Sequence, residues 1–399
     1  MYKLYCRTYQ GAFKITSRFL PWRHPELLVG ENSLQQLPGL IRTKGITSVL
    51  IVTDKGITTL GLMNGLLEGL KKENIDYFIY DKTVPNPTID NIEEALKLYN
   101  EYKCNGIVAF GGGSPMDCAK GVGARVAKPN KTIRQMKGVL KIRNEIPPLF
   151  AVPTTAGTGS EATLAAVISN SQTHEKYTVN DMSLIPHYAV LDPLLTVGLP
   201  SHITSTTGID ALTHAVEAYI GRSNTEATKQ LSREAVTLIF DNIYEAYSNG
   251  ENIEARTNMQ NAAYKAGVAF TRAYVGYVHA IAHTLGGFYS VPHGLANAII
   301  LPYVLDYYGE SVHKPLAELA DLVGIGKGLE TEEQKAQAFI EAVRKLNASM
   351  NIPSKVSGIV DRDIPTMVER ALKEANPLYP VPKILSKDDL FKLYDMIKE

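Results

Sequence analysis

The sequence predicts two unlike halves: an α/β domain with a parallel sheet over residues 1–200 and an all-helical domain over residues 201–399. Three observations carry this. A chain of 399 residues is long for a single hydrophobic core. Between Ser48 and Pro153, short apolar runs alternate with amphipathic segments, the grammar of βαβ units. Beyond about residue 200, apolar residues recur at helical spacing and little resembles a strand.

Taken in order, residues 2–20 alternate loosely between apolar and polar, with a turn signal at Gln10-Gly11. They are expected to form a strand or hairpin that pairs with a partner's sheet edge, the alternative being a frayed N-terminal arm. Ser48–Thr53 (SVLIVT) reads as a buried strand, and Asp54-Lys55-Gly56 turns the chain into a helix reaching about Lys72. Asp76–Tyr80 is a second strand. After the loop Val84–Thr88, a helix over Ile89–Tyr102 leads to the strand Gly106–Phe110. Ligands of parallel sheets gather beyond the carboxyl ends of the strands, where Asp54 and Gly111-Gly112-Gly113 both fall.

The triple glycine follows a strand directly and opens a helix, with Ser114 expected as N-cap, Pro115 at N1 and Asp117 at N3. Three successive glycines exceed what a tight turn needs, and bare backbone N–H groups at a helix N-terminus suit a pyrophosphate. Leu149–Pro153 ends another strand and enters a hydroxyl-rich run, Thr154 to Ala162, suited to a sugar or phosphate. There Gly157-x-Gly159-x-x-Ala162 formally matches a dinucleotide fingerprint. It lies far downstream of the first βαβ unit, and residues 163–169 look as much like a strand as a helix.

After the loop Gly198–Gly208, helices are expected over Ile209–Ile220, Thr225–Tyr247, Glu254–Thr271, Gly276–Gly286, Leu295–Tyr308 and Gln334–Ser349. The densest chemistry lies in Gly276–Pro302, which holds His279, His283 and His293, three of nine histidines. His279 and His283 share a helical face, and His293 follows a break at Gly286-Gly287. Upstream, Asp210 and His214 repeat the same i, i+4 spacing. Two such faces could close on one divalent cation, and imidazoles with one carboxylate suit Zn²⁺ or Fe²⁺ rather than Mg²⁺ or Ca²⁺. Spacing alone does not choose between His283 and His293 as the partner of His279. Phe270, Tyr274, Phe288 and Tyr289 are equally suited to lining an apolar pocket and to core packing.

Composition narrows the partners. Lys+Arg and Asp+Glu are both 41, which argues against nucleic acid or an anionic membrane surface. Three cysteines without CxxC spacing argue against a disulfide framework and for a reducing compartment. With no bilayer-spanning apolar run and no secretory signal, a cytoplasmic protein is expected.

The motifs GIVAFGGGSPMDCAK (106–120), VPTTAGTGSEAT (152–163), GIDALTHAVEAY (208–219) and VHAIAHTLGGFYSVPHGLANAIILP (278–302) occur in this order. Together they resemble the iron-containing, group III alcohol dehydrogenases, over roughly residues 25–399. The resemblance implies a dehydroquinate synthase-like architecture, with an N-terminal dinucleotide-binding α/β domain, a helical C-terminal domain and one divalent metal in the cleft between them. It makes Asp210, His214, His279 and His293 the metal ligands and leaves His283 beside the metal as a catalytic residue. It places Gly112, Gly113 and Ser114 at the pyrophosphate, Thr154, Thr155 and Thr158 around the nucleotide, and Asn86 and Lys176 near the cofactor. Asp54 matches an acidic residue near the adenosine ribose, which favours NAD over NADP. The implied activity is hydride transfer between a small primary alcohol or diol and NAD(P), with Fe²⁺, or alternatively Zn²⁺, polarising the substrate oxygen. A homodimer or larger homo-oligomer is expected. The rival readings are a lyase of the dehydroquinate synthase type and a nucleotide-binding protein with a structural metal.

Overall fold

The computed structural model describes residues 1–17, 19–171 and 176–399. They form two compact units, one of residues 21–198 and one of residues 1–20 together with 199–399.

The chain starts with a helix, α1 (Tyr2–Ser17), where a strand or arm was expected, and Gln10-Gly11 lies inside it. Its buried and half-buried positions, Cys6, Arg7, Gln10, Phe13, Lys14 and Ser17, recur at helical spacing. Arg7 and Gln10 hydrogen-bond carbonyls between residues 377 and 382, so the segment belongs with the helical unit. Those partners lie far along the chain, and no local pattern could reveal them.

In the α/β unit the strands are β1 (Glu26–Val29), β2 (Ser48–Val52), β3 (Asp76–Tyr80), β4 (Gly106–Gly111), β5 (Gly138–Val139), β6 (Leu149–Pro153), β7 (Ala165–Ser169), β8 (Lys176–Asn180) and β9 (Tyr188–Leu191). Six form one parallel sheet in the order β1-β9-β6-β4-β2-β3. Its central strands β2, β4 and β6 are buried throughout, as their continuous apolar runs require. The helices are α2 (Leu37–Thr43), α3 (Lys55–Leu60), α4 (Asn64–Lys72), α5 (Ile89–Glu101) and α6 (Gly113–Ala127), the expected single helix to Lys72 being interrupted at Gly61. Residues 165–169 are a strand, antiparallel to β8 in a second sheet with β5. The Gly157-x-Gly159-x-x-Ala162 run therefore does not open a helix of the α6 kind.

The other unit adds α7 (Ser201–Ile220), α8 (Glu226–Ser248), α9 (Ile253–Ala273), α10 (Tyr277–Tyr289), α11 (His293–Tyr308), α12 (His313–Leu322), α13 (Glu332–Ser349), α14 (Ile364–Ala375) and α15 (Lys387–Ile397). From Gly208 to Ile220, α7 is buried on every side, packed by α8, α9 and α11. It begins at Ser201, so the loop expected to reach Gly208 is shorter. Gly286-Gly287 lies within α10. The break falls instead at Ser290, in the left-handed region at φ 55°, just before Pro292. Among the described residues, no helix is long and apolar enough to cross a membrane.

Candidate functional site

Three helices bring together the histidines and the aspartate. Asp210 and His214 leave one face of α7, His279 lies in the first turn of α10, and His293 opens α11. One donor atom from each of these four residues lies within 4.8 Å of all the others. Asp210, His214 and His279 are buried and His293 is half-buried. His283 is not in this group: its Nδ1 is 2.7 Å from Glu374 Oε1, and its ring stacks on His293 at 5.1 Å between centroids. The geometry thus groups His279 with His293 rather than with His283.

The surroundings of the cluster suit a cation. His279 Nδ1 lies 2.6 Å from Glu217 Oε2; toward an ionised Glu217 that nitrogen carries the proton and Nε2 presents a lone pair. Nε2 is buried without a hydrogen-bond partner among the described residues, which is costly unless a metal takes it. Burial, and then the neighbouring His214, His293 and His283, hold the His279 imidazolium well below its usual range, which keeps the ring neutral. Burial raises the Asp210 carboxyl, opposed by His214 and by the Asn297 hydrogen bond. A divalent ion would restore the carboxylate and take the lone pair of His279 Nε2 together.

Two supporting residues escaped the sequence reading. Glu217 follows Asp210 at i+7 and His214 at i+3 on the same face of α7, a spacing visible in the motif itself. Besides holding His279, it accepts from Gly276 N and Val278 N at 2.9 Å each, tying α7 to the start of α10. Burial pushes its carboxyl up to about 8. A Cβ at position 276 would sit 2.6 Å from Glu217 Oε1, so the close approach requires Gly276. Asn297, four residues after His293, donates from Nδ2 to Asp210 Oδ1 at 2.7 Å and lies 3.1 Å from His293 Nε2. Of the four aromatic pocket candidates, Phe270 stacks on His214 at 4.2 Å, and Tyr274 packs edge-on against Phe13. Phe288 lies under Arg370, and the Tyr289 hydroxyl donates to Asp363.

The α/β unit gathers the remaining candidates. The β4–β6 register sets Gly111 beside Pro153, so Thr154 N bonds Gly111 O at 3.1 Å. Helix α6 starts at Gly113 with Gly112 as its N-cap, two residues earlier than the expected cap at Ser114. The Ser114 hydroxyl instead accepts from Asn86 N at 3.2 Å, and Asp117 accepts from Ser160 Oγ and Val167 N. Asn86 in turn accepts from Lys176 Nζ at 2.6 Å. A Cβ on Gly113 would meet Thr158 Cγ2 at 2.8 Å, and one on Gly112 would touch Thr155 at 3.4 Å. The turn is therefore a cradle with bare backbone, floored by threonines and suited to phosphate oxygens. Asp54 caps α3 through Ile57 N at 3.1 Å, while its other oxygen lies 3.6 Å from where a Gly111 Cβ would stand. Beneath the hydroxyl run, Lys120 is fully buried with its Nζ within 2.7–3.0 Å of five oxygens of Ser160, Thr163 and Ala165, among which its three N–H donors are shared, fixing this loop.

Both halves match known families. Residues 25–193 match the family model described as iron-containing alcohol dehydrogenase, and residues 204–397 match the one described as Fe-containing alcohol dehydrogenase family, C-terminal. The chain is 38% identical to a 1,3-propanediol dehydrogenase of Klebsiella pneumoniae over 352 residues, 87% of this chain and 90% of that one. It is likewise 38% identical to Alcohol dehydrogenase 4 of Saccharomyces cerevisiae over 365 residues, 90% of this chain and 93% of that one. The solved structure of an alcohol dehydrogenase from Oenococcus oeni superposes with a TM-score of 0.90 at 36% identity, covering 94% of this chain and 98% of that one.

Proposed function

The chain belongs to the iron-containing alcohol dehydrogenase family, an oxidoreductase family acting on alcohols, and from that premise we propose its finer chemistry. The substrate is a small primary alcohol or diol, or the matching aldehyde, and the cofactors are Fe²⁺ and NAD(H). Asp210, His214, His279 and His293 hold the metal. Gly112, Gly113, Ser114, Thr154, Thr155 and Thr158, with Asn86 and Lys176, bind the dinucleotide. The observation that carries this reading is the convergence of four donor atoms around the unpartnered His279 Nε2.

When bound, the metal supplies Lewis acidity toward the substrate oxygen, and the nicotinamide takes up or returns hydride. The chain's own residues do the rest. Glu217 holds the proton on His279 Nδ1 and so fixes which nitrogen faces the cluster. Asn297 orients Asp210. The Glu374 carboxylate accepts from His283 Nδ1, which leaves His283 Nε2 as the atom that receives the proton of the alcohol and returns it in reduction. The glycine turn of α6 offers backbone N–H groups to the pyrophosphate.

Nicotinamide absorbance followed with a panel of short alcohols and aldehydes tests the activity, and no turnover with any of them would remove it. Iron is tested by air or peroxide, which should inactivate the enzyme until Fe²⁺ is restored under reducing conditions. Full, oxygen-indifferent activity with zinc alone counts against iron. A cytoplasmic, homo-oligomeric enzyme belongs to the same reading. It is supported by three free, buried cysteines and by Leu4, Tyr5 and Ile15, which are exposed on α1. A strictly monomeric species in sedimentation would remove the oligomer.

A further inference from the structure

The chemistry above makes no use of α1, which precedes the residues matched by the family. Its inner face nevertheless grips the segment that follows α14. Arg7 donates from Nη1 to Val381 O at 2.7 Å and from Nη2 to Pro382 O at 2.8 Å. Gln10 donates from Nε2 to Tyr379 O at 2.7 Å and to Pro377 O at 3.2 Å. Arg7 Nη1 also donates to Gln10 Oε1 at 2.8 Å, so the two side chains form one clamp. Carbonyls of an irregular, proline-rich segment are thereby satisfied by side chains of α1.

The clamped segment leads to His283. Tyr379 Oη donates to Glu374 Oε1 at 2.8 Å, the same oxygen that lies 2.7 Å from His283 Nδ1. Phe13 of α1 packs edge-on against Tyr274 at 5.5 Å, two residues before the Gly276 N–H that binds Glu217. We infer that α1 is a brace for the proton-handling histidine: by fixing residues 377–382 it holds Tyr379, and through Tyr379 the Glu374 carboxylate that orients His283. Arg7 and Gln10 are positioning residues, remote from the reacting atoms. The inference rests on the proposed role of His283. If that role holds, loosening the brace misplaces the ring by a fraction of an ångström to an ångström, an error that costs roughly tenfold to a hundredfold in rate.

The test combines Arg7→Ala and Gln10→Ala, alone and in a His283→Ala background, with Thr8→Ala as control. Thr8 is exposed, and its hydroxyl bonds Leu4 O within α1. Hydrogen exchange at the amides of Tyr379 and Val381, bound metal, and kcat and KM for the alcohol are measured on each full-length protein. The inference expects faster exchange at these amides and a roughly tenfold to hundredfold fall in kcat, with KM and metal content near those of the parent. In the His283→Ala background the clamp variant should cost nothing further, because its target is gone. Unchanged exchange overturns the brace. An equal kcat loss in both backgrounds also overturns it, since α1 would then serve stability alone. A wild-type kcat in His283→Ala would instead overturn the role of His283 and the catalytic part of the brace with it, while the exchange result is read independently of turnover.

Discussion

In the helical unit the candidate site manages charge with side chains. Three imidazoles and a carboxylate converge, and buried Glu217 and Asn297 aim them. In the α/β unit it is managed by side chains that are missing, since Gly111-Gly112-Gly113 exposes backbone at the start of α6 and Thr155 and Thr158 fill the space beneath. On the proposed reading, the first site should fail when an atom is removed and the second when one is added. A transition-metal cation takes lone pairs from several directions, here offered by imidazoles and a carboxylate, whereas a diphosphate needs N–H groups approached closely, which a Cβ obstructs.

The largest expected effect breaks the helical side of this contrast. His279→Ala should lose metal and activity together, by roughly a thousandfold or more, because the Lewis acid departs with the ligand. His283→Ala should keep its metal and lose roughly a hundredfold in rate, the scale of a general acid–base residue. Metal analysis finding His283→Ala empty and His279→Ala full would reverse the assignment.

Adding an atom to the other site comes next. Gly113→Ala should raise KM for the nicotinamide roughly tenfold to a hundredfold, because the new methyl meets Thr158 Cγ2 at 2.8 Å. Combining it with Thr158→Ser removes that methyl and should recover part of the loss. Unchanged KM in Gly113→Ala would show that the turn does not hold the cofactor.

Asp54 sharpens the comparison, being a side chain at the backbone site. Its cap on Ile57 N uses one oxygen and leaves the other beside Gly111, where it would repel a ribose 2′-phosphate. Asp54→Gly should therefore shift the ratio of kcat/KM values toward NADP(H) by roughly tenfold. A wild type that already prefers NADP(H), or an unaltered ratio, would reduce Asp54 to a helix cap.

The smallest effect is on stability. His187 Nδ1 accepts from Leu149 N at 3.1 Å, and burial, then Arg23, hold its imidazolium down to about 4 against an ordinary 6.5. A depressed folded-state value means the neutral ring stabilises the fold above 6.5, and that this contribution is lost as pH falls toward 4. His187→Gln should flatten this decline by on the order of a few degrees in Tm. Exchange protection across the same pH window should change in the α/β unit and not around α7.

Much of this was legible in the sequence because its signals are local. Leu149–Pro153 was legible because a buried parallel strand is a continuous apolar run bounded by turn chemistry, and the half-buried edge strand Asp76–Tyr80 was bounded by the turns on either side of it. Asp210 with His214 was legible because helical spacing alone puts both on one face. The same periodicity extended to Glu217, which was missed because a lone glutamate in an apolar helix gives no sign of what it faces. Tertiary structure decided the rest. The choice of His293 over His283 depends on how α11 and α14 meet α10, and the cap of α6 moved because Asn86, a distant residue, claims Ser114. Residues 2–17 became a helix because their partners are the carbonyls of residues 377–382. A residue's periodicity is fixed by its own neighbours in the chain, but the partner of a buried polar group is fixed only when distant segments pack and must leave no donor or acceptor unmet.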